Sequence, residues 1–400
     1  MRTATEAALD SPLAALWPPP AEVRAVRVPR GRGSYYLAVP SARAPRLLVP
    51  TDVPGAGRML ARHGGGRATR LARGALRLSH RAGLASWMPM PRLSVTVDPA
   101  GIEQHLGAVL GRPVRIGVLL GPPRANIKPV LQVFDRDGTV LAFAKVATSP
   151  LTVPLLETEA AALRLLAGQP MRGVVAPTLL DLGRWRDVLV LVQQALPSAQ
   201  SGRQPTTLPS AALAEVAAVG GRHRRSLEAS AFWQRVADVG PDRWHDVDVS
   251  ALSRLRAAVD PRTECLFGAW HGDFGPWNAA WGAGALEVWD WERFDTDVPA
   301  GLDGAHWRLQ VDDRTDPHST WQAMAADAAA VLRDMGELGE LGETHDSTAG
   351  SLVACCYLLA IWSRYRHDAA TSVTPALRAR VAWLCRLADA ALPTLEDARR

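Results

Sequence analysis

Short apolar runs next to turn-forming residues predict several strands along the chain. Residues 139–146, TVLAFAKV, are mostly apolar and directly follow the turn-forming residues 135–138, so we expect a strand there. Because successive side chains of a strand point to opposite faces, Phe143 and Lys145 should share one face. The run 187–197, DVLVLVQQALP, is almost continuously apolar and indicates a buried strand that leads into an extended linker.

The segment between residues 155 and 168 carries apolar residues at helical spacing. Those on one face are Leu156, Leu163 and Leu166. Glu159 falls on this apolar face, whereas Glu157 does not. An ionised carboxylate among core residues costs several kcal/mol unless a cation pairs with it. The pattern therefore predicts that Glu159 is paired, and Lys145, one strand earlier, is the natural partner.

Composition places the chain among ordinary globular proteins. It has 400 residues, 48% hydrophobic and 21% charged, which is enough for two or three domains and a large core. No apolar run reaches the roughly 18 residues of a membrane span, and the longest, 352–362, suits a buried helix. Glu6 and Asp10 interrupt the N-terminal apolar stretch, which argues against a secretory signal. The four cysteines have neither metal-type spacing nor disulfide density, so we expect a cytoplasmic protein.

Charge is unevenly distributed. Arginine dominates the 45 basic residues, since Lys128 and Lys145 are the only lysines. A lysine kept in such a chain suggests a site that needs a compact ammonium group rather than a planar guanidinium. Residues 1–150 carry 21 basic and 8 acidic residues, whereas 286–350 carry 4 and 15. The acidic region favours a cationic substrate, although residues 336–346 are expected to form a solvated loop.

Three oxygen-bearing side chains lie close together in the sequence. Residues 271–281 read HGDFGPWNAAW and contain Asp273 and Asn278, and the strand-like run 288–292, VWDWE, contains Asp290. An unpaired carboxylate among the tryptophans of that run would be costly, and a hard divalent cation with oxygen ligands would remove the cost. The spacing predicts a site for a magnesium-bound polyphosphate.

This pattern, HGD-x4-N followed by DWE, resembles the catalytic core of aminoglycoside phosphotransferases and their relatives in the protein-kinase-like superfamily. The resemblance implies an α+β, bilobal fold with an antiparallel-sheet N-lobe and a mainly helical C-lobe. We expect a flexible tail over 1–20, a basic accessory segment over 21–98, an N-lobe and hinge over 99–196, and the C-lobe over 197–400.

The resemblance also implies roles for individual residues. Asp273 would be the catalytic base, and Asn278 and Asp290 would hold Mg²⁺. The Lys145–Glu159 ion pair would bind the phosphates of ATP, or of GTP. The other expected nucleotide-binding residues are Gly121 in the phosphate loop, Phe143 beside the base, and the hinge residues Gln194, Ala195 and Leu196. His271 and Asp303 would brace the catalytic loop.

The expected phosphate loop departs from the kinase pattern. Residues 113–138 indicate two strands joined by a turn, but Gly121 is followed by two prolines and no GxGxxG is present. Arg124, Asn126 and Lys128 could supply side-chain donors instead, or could form a solvated basic turn.

The first 98 residues lie outside the resemblance. Strand-like runs occur at 23–28, 35–39 and 47–49, followed by an arginine-rich stretch over 58–81. If this stretch forms a helix, that helix could contact nucleic acid, an anionic lipid surface or an acidic peptide, or it could pack on the core. The lack of interleaved aromatic residues argues against binding of single-stranded nucleic acid.

Three functions agree with these features. The first is an enzyme that transfers the γ-phosphoryl group to a hydroxyl of a small molecule, such as an aminoglycoside, an amino sugar or a natural product. The second is a kinase acting on peptide Ser or Thr. The third is a nucleotide-binding scaffold without turnover, which the missing glycine motif suggests.

Overall fold

A computed structural model describes residues 13–26, 34–62, 78, 90–96, 101–121, 128–199, 202–312, 315–337, 343–369 and 373–397. The strands are β1 (Val23–Val26), β2 (Ser34–Val39), β3 (Leu47–Pro50), β4 (Arg92–Val95), β5 (Arg115–Leu119), β6 (Val130–Phe134), β7 (Val140–Ala147), β8 (Val174–Val175), β9 (Leu179–Trp185), β10 (Val188–Gln194), β11 (His223–Ser226), β12 (Arg243–Trp244), β13 (Val247–Asp248), β14 (Glu264–Trp270), β15 (Ala279–Trp281), β16 (Leu286–Val288) and β17 (Asp295–Pro299). The α-helices are α1 (Ile102–Leu110), α2 (Val153–Ala167), α3 (Ser210–Ala217), α4 (Ala231–Val236), α5 (Ser250–Ala258), α6 (Leu302–Val311), α7 (Pro317–Asp334), α8 (Glu343–Ala369) and α9 (Pro375–Asp397).

The chain folds into two compact units. The first comprises Met1–Ala160 and Pro177–Ser201, and the second comprises Ala161–Ala176 and Gly202–Arg400. A large antiparallel sheet in the first unit and a mainly helical second unit confirm the predicted α+β class.

The first unit is built on one nine-stranded sheet with the order β1-β4-β2-β3-β5-β6-β7-β10-β9, in which neighbouring strands are antiparallel. The strands β5, β6, β7 and β10 occur where the apolar pattern predicts them. The four strands β1 to β4 come from the expected accessory segment and extend the same sheet.

One face of this sheet packs against α1 and against the start of the described chain. Leu13, Leu16 and Trp17 are buried there, and the Trp17 ring lies 5.4 Å from the ring of Tyr36. Burying each such side chain contributes about 1.5–3 kcal/mol. This part of the expected flexible tail is therefore packed on the core, while residues 1–12 lie outside the described residues.

The opposite face carries Lys145. Leu156 and Ala160 of α2 pack on Leu191 of β10, and the 3₁₀ turn Ala56–Arg62 covers the sheet nearer β3. Glu159 is buried and Glu157 is exposed, as the helical pattern predicts. The arginine-rich stretch can be followed only through this 3₁₀ turn, because nearly all of its remainder lies outside the described residues.

The second unit has a helical core. Its largest fully buried side chains include Trp321, Trp362 and Phe267, and the predicted buried helix 352–362 is the middle of α8. Three small sheets, β11-β14-β17, β15-β16-β8 and β12-β13, complete this unit. The four cysteines are free and buried. No described helix has the length and hydropathy that a membrane span requires.

Two sequence predictions in this unit were wrong. The strand expected over 288–292 ends at Val288, because Asp290 has a φ of +73°, a left-handed conformation that a strand cannot contain. The loop expected over 336–346 is shorter than predicted, since α8 already begins at Glu343. An acidic residue in the first turn of a helix is favoured by the helix dipole.

Candidate active site

Lys145 and Glu159, both in the first unit, form a buried ion pair. The Nζ atom of Lys145 lies 2.6 Å and 2.7 Å from the two carboxylate oxygens of Glu159. Lys145 is 5% exposed and Glu159 is fully buried. Lys145 is held in the sheet between Val130 of β6 and Leu191 of β10, its cross-strand neighbours. The pairing predicted from the sequence is therefore present.

A row of polar and aromatic side chains crosses the sheet beside this pair. Gly117, Gln132, Phe143 and Gln193 are cross-strand neighbours, so they lie on the same face of the sheet as Lys145. The side chains of Gln132, Phe143 and Gln193 are buried. No described residue donates a hydrogen bond to Oε1 of Gln193. The sequence analysis singled out Phe143 but missed both glutamines, although each interrupts an apolar strand.

The expected hinge residues follow directly. The N–H of Gln194 donates to the carbonyl of Thr178 at 2.9 Å, and the N–H of Ala195 donates to the carbonyl of Leu141 at 3.2 Å. Leu196 is buried. Two of the three hinge N–H groups are thus already bonded within the unit.

The expected phosphate loop is described only at its edges. Gly121 has a φ of +66° with open space around it, which suits a tight turn. Arg124 and Asn126, the candidate side-chain donors, lie outside the described residues.

The predicted catalytic loop, residues 271–278 of the second unit, follows β14 and is braced by two helices. Asp303, in the first turn of α6, accepts hydrogen bonds from the N–H groups of His271 at 2.6 Å and Gly272 at 3.0 Å. From α8, Nη1 of Arg364 donates to the carbonyl of Gly272 at 2.8 Å. Burial raises the pKa of Asp303, and its hydrogen bonds only partly offset this effect. The bracing role expected for Asp303 is confirmed.

His271 is a second brace, inside the loop. Its Nδ1 atom accepts a hydrogen bond from the N–H of Asp273 at 3.2 Å, so Nε2 must carry the proton that it donates to the carbonyl of Trp289 at 3.0 Å. The ring packs 4.6 Å from the ring of Trp291. Burial lowers the pKa of His271, which keeps the imidazole neutral. His271 therefore braces the loop through two hydrogen bonds, as expected.

Asp273 and Asn278 face each other across the loop. Nδ2 of Asn278 donates to the backbone carbonyl of Asp273 at 2.9 Å and lies 3.4 Å from its Oδ2 atom. With the amide nitrogen committed to Asp273, the amide oxygen of Asn278 points the other way. Burial by itself would raise the pKa of Asp273, but the neighbouring His306 outweighs burial and holds the pKa below its usual value. Asp273 is thus an ionised carboxylate at neutral pH.

A β-hairpin brings Asp290 to the same place. Ala279 of β15 pairs with Val288 of β16, and the N–H of Trp289 donates to the carbonyl of Asn278 at 3.0 Å. Asp290 comes next and is half-buried, less deeply than the sequence indicated. Its left-handed backbone costs on the order of 1–3 kcal/mol for a residue other than glycine. Such strain is typical of functional positions.

These residues fit a hard divalent cation. The negative charge of Asp290 by itself acts to raise the pKa of Asp273, although the net pKa of Asp273 is lowered. The carboxylate of Asp290 and the amide oxygen of Asn278 are oxygen ligands of the kind that Mg²⁺ binds. A cation would also relieve the repulsion between the two acidic groups. His306, which the sequence analysis did not single out, lies behind Asp273, one helical turn after Asp303.

No family model matches the sequence, and no curated protein matches it either. Among solved structures, an amicoumacin kinase in complex with AMP-PNP and Ca²⁺ is similar at 12% identity, with a TM-score of 0.44, over 72% of this chain and 94% of that one. An aminoglycoside 2'-phosphotransferase in complex with GDP is similar at 15% identity, with a TM-score of 0.44, over 74% and 97%.

A glucosamine kinase covers more of the chain. It is similar at 17% identity, with a TM-score of 0.36, over 98% of this chain and 97% of its own length. These three similar structures are two kinases and a phosphotransferase.

Proposed function

We propose that this protein is a phosphotransferase that moves the γ-phosphoryl group of ATP to a hydroxyl group of a small molecule. The observation that supports the proposal is the position of Asn278. Its amide nitrogen donates a hydrogen bond to the backbone carbonyl of Asp273, and its own backbone carbonyl accepts one from the N–H of Trp289, the residue before Asp290. The base Asp273 and the proposed cation ligands Asn278 and Asp290 are thereby held together by the loop after β14 and the adjacent hairpin.

Asp273 acts as the base in this reaction. As the acceptor oxygen forms its bond to the γ-phosphorus, the bond from that phosphorus to the β,γ-bridging oxygen breaks, ADP leaves, and the hydroxyl proton passes to the Asp273 carboxylate. The low pKa of Asp273 keeps it ionised and ready to accept that proton.

The remaining residues bind and orient the nucleotide. The ammonium of Lys145, held by Glu159, contacts phosphate oxygens, and Phe143 lies beside the base. Asn278 and Asp290 are the residues that would hold Mg²⁺, which neutralises phosphate charge when bound. Gly121 and the hinge residues complete the nucleotide contacts.

The acceptor molecule carries the hydroxyl group that is phosphorylated, and its charge is a separate question. The acidic balance of residues 286–350 is partly neutralised within the second unit, because Asp295 pairs with Arg235, Asp297 with Arg225 and Asp327 with Arg308. A preference for cationic acceptors is thus weaker than the residue counts suggest, and neutral acceptors belong in any screen.

Turnover with a panel of acceptors tests the proposal. The protein would be incubated with Mg-ATP and aminoglycosides, amino sugars, neutral sugars or Ser-containing peptides, and phosphorylated products would be detected by mass spectrometry. Asp273→Asn should lower the rate about 10²- to 10⁴-fold and keep nucleotide affinity. Asp260→Asn, at an exposed carboxylate of the same unit, is the control and should change neither. Tight Mg-ATP binding without turnover of any acceptor would instead indicate a scaffold.

A further inference from the structure

Two buried polar side chains stand in line behind Asp273. Nε2 of His306, on α6, lies 3.5 Å from Oδ1 of Asp273, and Nδ1 of His306 lies 2.9 Å from the hydroxyl of Tyr357, on α8. His306 is 2% exposed and Tyr357 is fully buried. The side chains of Tyr357, His306 and Asp273 therefore lie in sequence, from α8 through α6 to the loop after β14.

The direction of the hydrogen bonds along this chain follows from electrostatics. If Nδ1 carried the proton, the lone pair of Nε2 would face the Asp273 carboxylate, and the two would repel each other. If the Tyr357 hydroxyl donates to Nδ1, Nε2 carries its proton toward Asp273 instead. Burial raises the pKa of Tyr357 well above its usual value, so the hydroxyl keeps the proton that it must donate.

The Nε2 group is not fully satisfied inside the protein. Among the described residues Nε2 of His306 has no hydrogen-bond partner in good geometry, while Oδ1 of Asp273 lies 3.5 Å from it. A buried donor without a close partner costs about 1–3 kcal/mol, and the neighbours Ala305 and Trp307 on α6 show that this part of the unit accepts apolar residues. Packing alone does not account for a histidine here.

The two oxygens of Asp273 face different donors. Oδ1 is directed at His306, and Oδ2 is 3.4 Å from Nδ2 of Asn278. Donors on both sides restrict rotation of the carboxylate. We propose that His306, oriented by Tyr357, is a positioning residue that sets the rotamer of Asp273 for proton transfer from the acceptor hydroxyl. This inference rests on the proposed phosphotransferase function.

Three variants test the inference in the full-length protein, with turnover measured on the best acceptor from the panel. His306→Leu removes the donor and should lower kcat about 10²-fold, the size of effect expected when a catalytic group is misplaced by about 1 Å. KM for Mg-ATP should stay unchanged. His306→Gln keeps an N–H donor at a similar distance and should recover most of kcat. Tyr357→Phe keeps the ring, removes the hydroxyl, and should cause a smaller loss of kcat.

Because Tyr357 acts through His306, the double variant His306→Leu/Tyr357→Phe should be no slower than His306→Leu alone. Equal losses in the Gln and Leu variants, or an additive double variant, would overturn the positioning role. An unchanged kcat in His306→Leu would do the same. If the wild-type protein transfers phosphate to no acceptor, the proposed function fails first and the inference fails with it. If the wild type transfers phosphate and the variants have an unchanged kcat, the proposed function stands and only the role of His306 is wrong.

Discussion

The carboxylate of Glu159 holds the ammonium of Lys145 with both oxygens, at 2.6 Å and 2.7 Å, in a part of the first unit that solvent does not reach. Glu159→Gln removes the carboxylate charge that Nζ of Lys145 contacts in this ion pair. We expect the free energy of unfolding to fall by about 3–5 kcal/mol, measured by denaturant titration. Glu157→Gln, at an exposed position on the same helix, is the control and should change it by no more than about 0.5 kcal/mol.

The same pair predicts a difference between stability and binding. The double variant Lys145→Met/Glu159→Leu replaces both charges with apolar groups and should be much more stable than Glu159→Gln, because no uncompensated charge remains buried. It should nevertheless lose Mg-ATP binding, since the ammonium is gone. A double variant as unstable as the single one would contradict the assignment of Glu159 as the compensating charge.

Gly272 is required by both its conformation and its surroundings. It has a φ of +80°, and a Cβ atom there would lie 2.3 Å from the carbonyl oxygen of Arg293. Gly284 has a φ of +96°, and a Cβ atom at that position would meet no other atom within 4 Å. Gly284→Ala should therefore show only the backbone cost of about 1–2 kcal/mol. Gly272→Ala should lose more stability and most turnover, because the loop must move away from Asp303. Equal losses in the two variants would show that the contact with Arg293 is unimportant.

His271 predicts a loss of stability in mild acid. Its pKa is lowered by burial, so between the folded pKa and the unfolded value of about 6.5 the unfolded chain binds a proton that the folded protein does not. Stability is therefore fully present above about pH 6.5 and falls as the pH drops, by at most about 1.4 kcal/mol per pH unit from this group.

The comparison with His271→Gln isolates that contribution. All other titrating groups are common to both proteins, so the wild type should lose more free energy of unfolding than the variant between pH 7.5 and pH 5.5. The same pH dependence in both proteins would show that His271 does not titrate on unfolding.

Gln193 predicts a variant that is more stable and less able to bind nucleotide. Its Oε1 atom is buried and receives no hydrogen bond from the described residues, at a cost of about 1–3 kcal/mol. Leucine has a similar volume and no such atom, so Gln193→Leu should leave the unfolding free energy unchanged or increase it. Mg-ATP affinity should fall if the nucleotide base supplies the missing donor. Gln104→Leu, at an exposed position of α1 with no proposed role in binding, is the control. A marked loss of stability in Gln193→Leu would mean that its side chain is satisfied in the folded protein.

Local patterns explain which parts of the site could be predicted. Glu159 was recognisable because a helical repeat fixes which positions face the core, and a buried acid needs a cation. The strand β7 was recognisable because a short apolar run directly follows turn-forming residues. Asp273, Asn278 and Asp303 were found through a resemblance in spacing, and the bracing by Asp303 is confirmed by its two hydrogen bonds.

Other features depend on residues that are distant in the sequence. Gln193 is buried in the sheet, where its cross-strand neighbour on β7 is Phe143, about 50 residues earlier in the chain. The contact of His306 with Tyr357 joins residues 51 positions apart on different helices. No periodic pattern within α6 or α8 predicts this contact.

The sequence by itself determined the strands β5, β6, β7 and β10, the buried face of α2 and the buried middle of α8, because these depend on short-range patterns of apolar residues. The α+β class was implied by the resemblance in motif spacing. Only the tertiary structure decided that β1 to β4 extend the main sheet, that the strand before Asp290 ends at Val288, and that Asp273 lies against His306. The physical reason is that pairing across a sheet and packing between helices are set by the global minimum of burial and hydrogen bonding, to which distant parts of the chain contribute together.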